Sequence, residues 1–333
     1  MKARLATSRK PKLSEEFSRI AWLDRLFAST HARGSVTLGI GDDAAILKPF
    51  PQPTVWTTDA CVQNVHFKLD WLSAEDIGWR SYNAAVSDLA AMGARPVGAL
   101  SSLALPASID RKLWQGIARG QARAAKALGC PIIGGNLTRA SEISIHTTVL
   151  GRARQPVRRD GAKAGDEIWL VGVSGAAAAG LSVLMALTEA KWDSKMRACV
   201  NAWRRPKALL REGLALAGRA HSVIDISDGL AGDARHIAEA SGVALVLEAA
   251  AIEGTIPASV TSVAASLGRS ALDFTLTGGE AYALLATGPA KRRPAFATRI
   301  GAVKRGEGVW LETYAGRRRL DFGFDHFRVS EKA

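Results

Sequence analysis

The stretch Gly39-Ile40-Gly41-Asp42-Asp43-Ala44-Ala45-Ile46-Leu47 places two glycines and two adjacent carboxylates ahead of an apolar run. Adjacent carboxylates repel each other and resist burial. Yet residues 44–47 are of the kind that packs inside. Either the pair occupies a solvated Asp turn, or a cation sits between the carboxylates. The choice depends on whether other carboxylates in the chain share this setting.

They do. Thr57-Thr58-Asp59 ends an apolar strand predicted over 54–58. A helix predicted over 74–92 carries Asp88 among Ala84, Ala85, Leu89, Ala90 and Met92. A carboxylate on such a face needs a partner, and a nearby arginine is the plain alternative to a metal. Ile224-Asp225-Ile226-Ser227-Asp228-Gly229-Leu230 joins a strand to a helix, with Asp225 and Ser227 on one strand face. Exposed amides at such a helix start also bind phosphate. Taken singly, each is a cap or a turn. Together they form an oxygen-rich set for a hard cation such as Mg²⁺, which takes few carboxylates plus substrate phosphates. EF-hand spacing is absent, as are GxxxxGK[ST] and HExxH, and Gly39-Ile40-Gly41 is too short for a dinucleotide fingerprint.

Around this set the chain reads as α/β or α+β. A basic tail covers 1–13, an N-terminal domain 14–152 and a C-terminal α/β domain 153–333, divided near the charged, Pro- and Gly-containing segment 152–165. Further helices are predicted over 15–27, 111–128, 176–189, 207–219, 230–240 and 257–267. Strands are predicted over 100–105, 143–150, 168–173, 222–226, 244–249, 273–277, 282–287, 298–303 and 309–313. The uncharged run 168–188 is long enough to span a bilayer, but its glycines and alanines fit a strand, a turn and a helix better.

With 333 residues, 47% hydrophobic and 23% charged, the composition is that of a soluble globular chain. The net charge of +13 favours anionic ligands such as phosphates. Basic clusters such as Arg317-Arg318-Arg319 lack interleaved aromatics, so nucleic-acid binding is not expected. Cys61, Cys130 and Cys199 form no CxxC, and their odd number fits a reducing, cytoplasmic compartment. The basic N-terminus has no apolar core of a secretory signal.

Several segments then occur in one order: Glu16-Phe17, GIGDDAAIL (39–47), TTD (57–59), His66-Phe67, SDLAAMGARP (87–96), GGN-x-TR (134–139), Arg159 with GAKAGD (161–166), ISDGL (226–230), TGGE-x-Y (277–282) and FDHF (324–327). By these the chain resembles the thiamine-monophosphate kinase family, of the superfamily that holds aminoimidazole ribonucleotide synthetase and selenophosphate synthetase. The resemblance implies a two-domain aminoimidazole ribonucleotide synthetase-like fold, with the N-terminal sheet forming a barrel across a homodimer. It implies transfer of the ATP γ-phosphoryl group to thiamine monophosphate with Mg²⁺. It places Asp42, Asp43, Thr58, Asp59, Asp88, Asn136, Asp225 and Asp228 at metal positions. Thr57, Gly135, Asn136, Arg159 and Ser227 match ATP positions, and His66, Glu280 and Phe322 the thiamine phosphate side.

The chain departs from the family pattern at four places. Asn136 replaces the Asp of Gly-Gly-Asp, and Ala281 the Asp of Gly-Gly-Glu-Asp. Ala176-Ala177 replaces Asp-Ser after Gly175, and Ala85 replaces an Asn. All four remove polar groups. Two alternatives therefore remain open on sequence: a paralogue using ATP to activate another substrate in a ligase-like reaction, and a non-catalytic nucleotide-binding protein.

Overall fold

The computed structural model describes residues 15–28, 30, 35–40 and 44–320; the basic tail, Asp42, Asp43 and Phe322 lie outside the described residues. The first half runs α1 (Glu15–Ala28), β1 (Val36–Leu38), β2 (Ile46–Leu47), β3 (Thr54–Val62), α2 (Ala74–Ala91), β4 (Arg95–Leu105), α3 (Arg111–Leu128), β5 (Ile132–Arg139) and β6 (Ser144–Arg152). Strands β3-β6-β4-β5 form one sheet, antiparallel except for the β4–β5 pair. Helices α2 and α3 pack together, and α2 lies on β3, β4 and β6. The period of two shows in β4, where Ala99, Ser101, Leu103 and Leu105 are buried and Leu100 is exposed. The opposite face presents Trp56, Leu100, His146 and Thr148 to an open groove.

Local chemistry sets the helix ends. Ser73 and Asp110 accept hydrogen bonds from first-turn amides of α2 and α3, and Gly129 stops α3 in a left-handed conformation.

The second half continues β7 (Glu167–Val171), α4 (Ala176–Ala186), α5 (Ser194–Arg204), α6 (Leu210–Leu216), β8 (Ser222–Asp225), α7 (Leu230–Ser241), β9 (Ala244–Glu248), α8 (Ala249–Glu253), α9 (Ala258–Ser266), α10 (Ala271–Thr277), β10 (Leu284–Gly288), β11 (Thr298–Lys304), β12 (Gly308–Thr313) and β13 (Gly316–Leu320). Its seven-stranded sheet has the order β13-β12-β9-β11-β7-β10-β8, antiparallel except for β9–β12. An apolar cluster that includes Ile77, Val86 and Leu89 of α2 continues into Trp203, Val223 and Leu284, so α2 is packed from both halves. Fourteen of its eighteen residues are buried. No helix among the described residues is long and apolar enough to cross a membrane.

Three expectations are corrected. Residues 273–277, read as a strand, form helix α10. Ser270 caps it, and Phe274 and Leu276 enter different apolar clusters on two sides, which mimics a strand's alternation. The helix expected over 176–189 ends at Ala186, where Leu187 turns extended. The helix expected over 207–219 shortens to Leu210–Leu216, because the Ala208 amide is held by Asn83 Oδ1 at 3.0 Å along α2. Helix α5 and strand β13 were not anticipated, since charged residues interrupt both patterns.

Helices α2 and α3 approach closely through glycines. A Cβ on Gly120 would stand 2.0 Å from the Glu75 carbonyl oxygen, and one on Gly78 1.9 Å from that of Ile117. Gly120→Ala gains about 1 kcal/mol of helix propensity but forces apart two backbones, at the upper end of the roughly 1–3 kcal/mol cost of overpacking. A net destabilisation of about 2 kcal/mol is expected by urea unfolding. An unchanged midpoint would contradict this packing.

Candidate active site

Three elements deliver carboxylates to one cavity of about 510 Å³, lined by Asp59, Asp88, Asp225 and Asp228. On β3, Thr57 and Asp59 point to the α2 side, two residues apart. The Thr57 hydroxyl donates to Asp88 Oδ2, and Asp59 Oδ1 accepts from the Ala60 amide at 2.7 Å. Asp88 sits in the last turn of α2. Asp225 ends β8, and the chain then turns through Ser227-Asp228-Gly229 into α7. Gly229 has φ 105°, and a Cβ there would meet the Thr277 backbone at 2.8 Å. Asp233, one turn into α7, holds the turn by accepting from the Asp228 amide at 3.1 Å.

Arg80 beside Asp59 and Arg159 near Asp225 only partly offset the cost of gathering these carboxylates. Burial pushes Asp59 up to about 6, with the Asp88 charge adding to it. Burial and then the Asp88 charge push Asp225 up to about 7. Asp233 rises to about 8, chiefly by burial, with its amide hydrogen bond opposing and Asp225 and Asp228 adding. Burial and then Arg159 lower His236. Carboxylates gathered at the expense of their own ionisation point to a cation supplied from outside.

The donor set fits Mg²⁺. The four aspartates lining this cavity offer hard oxygens, and substrate phosphates complete such shells. Among the described residues, one set of three has ligand atoms within 4.8 Å of one another: Asp228, Asp233 and His236. Asp59, Asp88 and Asp225 are more widely spaced, which suits cations bridged by a polyphosphate rather than one closed chelate.

The other end of the cavity is aromatic. Trp71 and Trp203 meet edge to face at 6.1 Å, and Lys68 Nζ lies 4.7 Å from the Trp71 ring centroid. His66 lines the same cavity, and its Nδ1 accepts from the Val62 amide at 3.1 Å, which leaves Nε2 as the protonated nitrogen of a neutral ring. Glu280 also lines it, but Arg80 holds Oε1 and Trp203 Nε1 holds Oε2 at 2.5 Å.

Of the residues singled out in the sequence, Thr58, Asp59, His66, Asp88, Asp225, Ser227, Asp228 and Glu280 line this cavity. Gly135 and Asn136 do not; they line a second groove of about 1,020 Å³, with Gly39, Ile40, Ala44 and Ala45 from either side of Asp42-Asp43. The grooves adjoin at Thr58, whose hydroxyl lies 3.1 Å from that of Thr148. Arg159 is exposed, near enough to His236 and Asp225 to act on both charges. Sequence reasoning missed Arg80, Asp233, Trp71 and Trp203. Arg80 was signalled by its spacing, eight residues and about two turns before Asp88; Asp233 was signalled by its i, i+3 spacing to His236.

Residues 41–153 match the AIR synthase related protein N-terminal domain, and residues 163–304 the corresponding C-terminal domain. A thiamine-monophosphate kinase of Mycobacterium tuberculosis is 35% identical over 275 residues, covering 82% of this chain and 81% of that one. The chain belongs to the thiamine-monophosphate kinase family. The crystal structure of thiamine-monophosphate kinase from Stenotrophomonas maltophilia superposes with a TM-score of 0.80 at 35% identity, covering 88% of this chain and 96% of that one. AaThiL complexed with AMPPCP and TMP superposes with a TM-score of 0.79 at 30% identity, covering 96% and 100%. Membership accounts for the mixed α/β architecture, with a four-stranded sheet in the first half and a seven-stranded sheet in the second.

The raised aspartates set a pH dependence. An aspartate whose folded pKa exceeds its unfolded value of about 3.9 binds its proton more tightly when folded, so stability falls as pH rises between the two. The metal-free protein is therefore expected to melt at a lower temperature near pH 8 than near pH 5, and Mg²⁺ to raise the melting temperature more at the higher pH. Asp225→Asn should raise the metal-free melting temperature near pH 8 and remove most of the Mg²⁺ increment. Calorimetry with and without Mg²⁺ checks both, and a melting temperature that climbs from pH 5 to 8 without metal would contradict the assignment.

Proposed function

We propose that this protein is an Mg-ATP-dependent kinase that phosphorylates thiamine monophosphate to thiamine diphosphate. One observation carries the reading: a single cavity joins a cluster of buried and half-buried carboxylates to an aromatic end. A phosphate ester bearing a cationic aromatic ring has complementary chemistry at both ends. Family membership supports a kinase over a ligase-like paralogue or a non-catalytic binder.

The acceptor phosphate is already an oxyanion near neutral pH, so no strong general base is required. Catalysis rests on alignment and charge neutralisation. Asp59, Asp88, Asp225 and Asp228, with Thr58 and the Asp42-Asp43 pair, would hold Mg²⁺. When bound, Mg²⁺ neutralises polyphosphate charge and orients the transferred group. Thr57 keeps Asp88 oriented. Ser227 and Arg159 meet the ATP phosphates, and Gly135-Asn136 line the adjoining groove for the nucleotide. His66 Nε2–H donates to the acceptor phosphate, while Phe322 belongs to the acceptor side.

The open face of the four-stranded sheet, with Trp56 and Leu100 exposed, suits a homodimer in which two such sheets meet as a barrel. The division into units over 14–152 and 153–333 is part of the same reading. Three buried free cysteines suit the cytoplasm.

Purified protein with ATP, Mg²⁺ and thiamine monophosphate is expected to form thiamine diphosphate, detected as its fluorescent thiochrome derivative, and to lose activity with excess chelator. Asp88→Asn should lower kcat on the order of 100-fold. Absence of product at saturating concentrations of all three components would overturn the proposal.

A further inference from the structure

Arg80 is 2% exposed, and its guanidinium sits where the two halves of the molecule meet. It donates to Glu280 Oε1 and to the Trp203 carbonyl, and its Cζ lies 4.4 Å from the Trp203 ring centroid. Trp203 Nε1 takes the second Glu280 oxygen at 2.5 Å. Arg80 comes from α2; Trp203 and Glu280 come from α5 and from the loop between α10 and β10. Both Glu280 oxygens are therefore committed within the protein.

The loop that Glu280 belongs to is unusual. Glu280 and Tyr282 are non-glycine residues with φ of 63° and 49°, a backbone state that persists only when surrounding contacts enforce it. The Glu280 amide donates to the Ser227 carbonyl at 2.7 Å, and the Tyr282 amide to that of Ile226 at 2.9 Å. Two residues on, Leu284 pairs with Asp225 across the β10–β8 ladder. The loop thus grips the segment that presents Asp225 and Asp228. Arg80 lies eight residues before Asp88 on the same rigid helix.

We propose that Arg80 is a positioning residue. Through Glu280 it locks the 278–282 loop, and thereby sets the spacing of Asp225 and Asp228 against Asp59 and Asp88 for divalent-ion binding. Glu280 on this account is the second half of the clamp and not a ligand of the acceptor substrate. A merely stabilising ion pair would affect folding alone. A clamp that sets register changes metal affinity in a protein that remains folded.

The inference deepens the kinase reading, so the primary readout is independent of turnover. Mn²⁺ binding is titrated by electron paramagnetic resonance in the presence of AMPPCP, for the wild type and for Arg80→Lys, Arg80→Met, Glu280→Gln and the Arg80→Met/Glu280→Gln double variant. Circular dichroism and melting curves identify the folded variants. Removing both partners leaves no lone buried charge, so the double variant keeps the test available where a single variant does not fold. The expected result is Mn²⁺ affinity at least tenfold weaker in every folded variant lacking the pair, with partial recovery in Arg80→Lys. In kinetics, Glu280→Gln is expected to lower kcat and raise the Mg²⁺ requirement, while KM for thiamine monophosphate changes less than twofold. Wild-type Mn²⁺ affinity in the folded double variant would overturn the proposal, as would a Glu280→Gln effect confined to KM for thiamine monophosphate. If the wild type phosphorylates no acceptor, the kinase reading fails while the Mn²⁺ comparison still decides the clamp.

Discussion

Helix α2 is buried from both halves of the molecule, so its long polar side chains need partners inside the protein. Four of them find those partners on other segments. Asp76 takes Arg205, and Asn83 takes the Ala208 amide. Tyr82 gives its hydroxyl to the Cys130 carbonyl, and Arg80 takes Glu280 and the Trp203 carbonyl. These commitments attach the segment after α5 and the 278–282 loop to one helix. The same helix rests on the four-stranded sheet that carries Asp59. The alignment of the two halves is therefore a consequence of satisfying buried polar groups on a single element.

The molecule handles two kinds of buried charge in opposite ways. The Arg80–Glu280 pair is saturated by Trp203, through its indole N–H, its carbonyl and its ring. In the Asp59, Asp88, Asp225 and Asp228 cluster, the Arg80 charge on Asp59 and the Arg159 charge on Asp225 do not offset burial, which drives both carboxylates toward their neutral forms. A protein selected for stability alone would neutralise such a cluster or expose it. On the kinase reading, retaining it stores unfavourable free energy that a bound cation and polyphosphate would release. In the clamp proposed above, the loop with left-handed Glu280 and Tyr282 keeps the C-terminal carboxylates in place before any ligand arrives.

The four polar losses relative to the family pattern divide by location. Asn136 lies in the groove beside the four-stranded sheet, away from the carboxylate cavity. Ala281 follows Glu280, and Ala176-Ala177 begin α4 after Gly175. Ala85 is fully buried on α2. None of the four is an Asp of the cavity that joins Asp59, Asp88, Asp225 and Asp228. All four cavity carboxylates are retained, and the changes fall outside them.

Much of this was legible in the residues. Apolar spacing marked α3 at its observed ends, and the recurrence of Asp at the ends of apolar strands or on a helix of small residues marked Asp59, Asp88, Asp225 and Asp228 as one set. These signals are local, so a linear reading captures them. Strand-like alternation misled at 273–277, because burial on two sides of a short helix imitates period two. The role of Glu280 was beyond reach for another reason: its partners lie 200 and 77 positions away, and nothing in the adjacent residues names them. By itself the sequence determined which carboxylates and glycine turns the protein carries. Only the tertiary structure decided which of them share a cavity and which side chains hold them there, because those contacts depend on how two separately formed sheets close on the same buried helix.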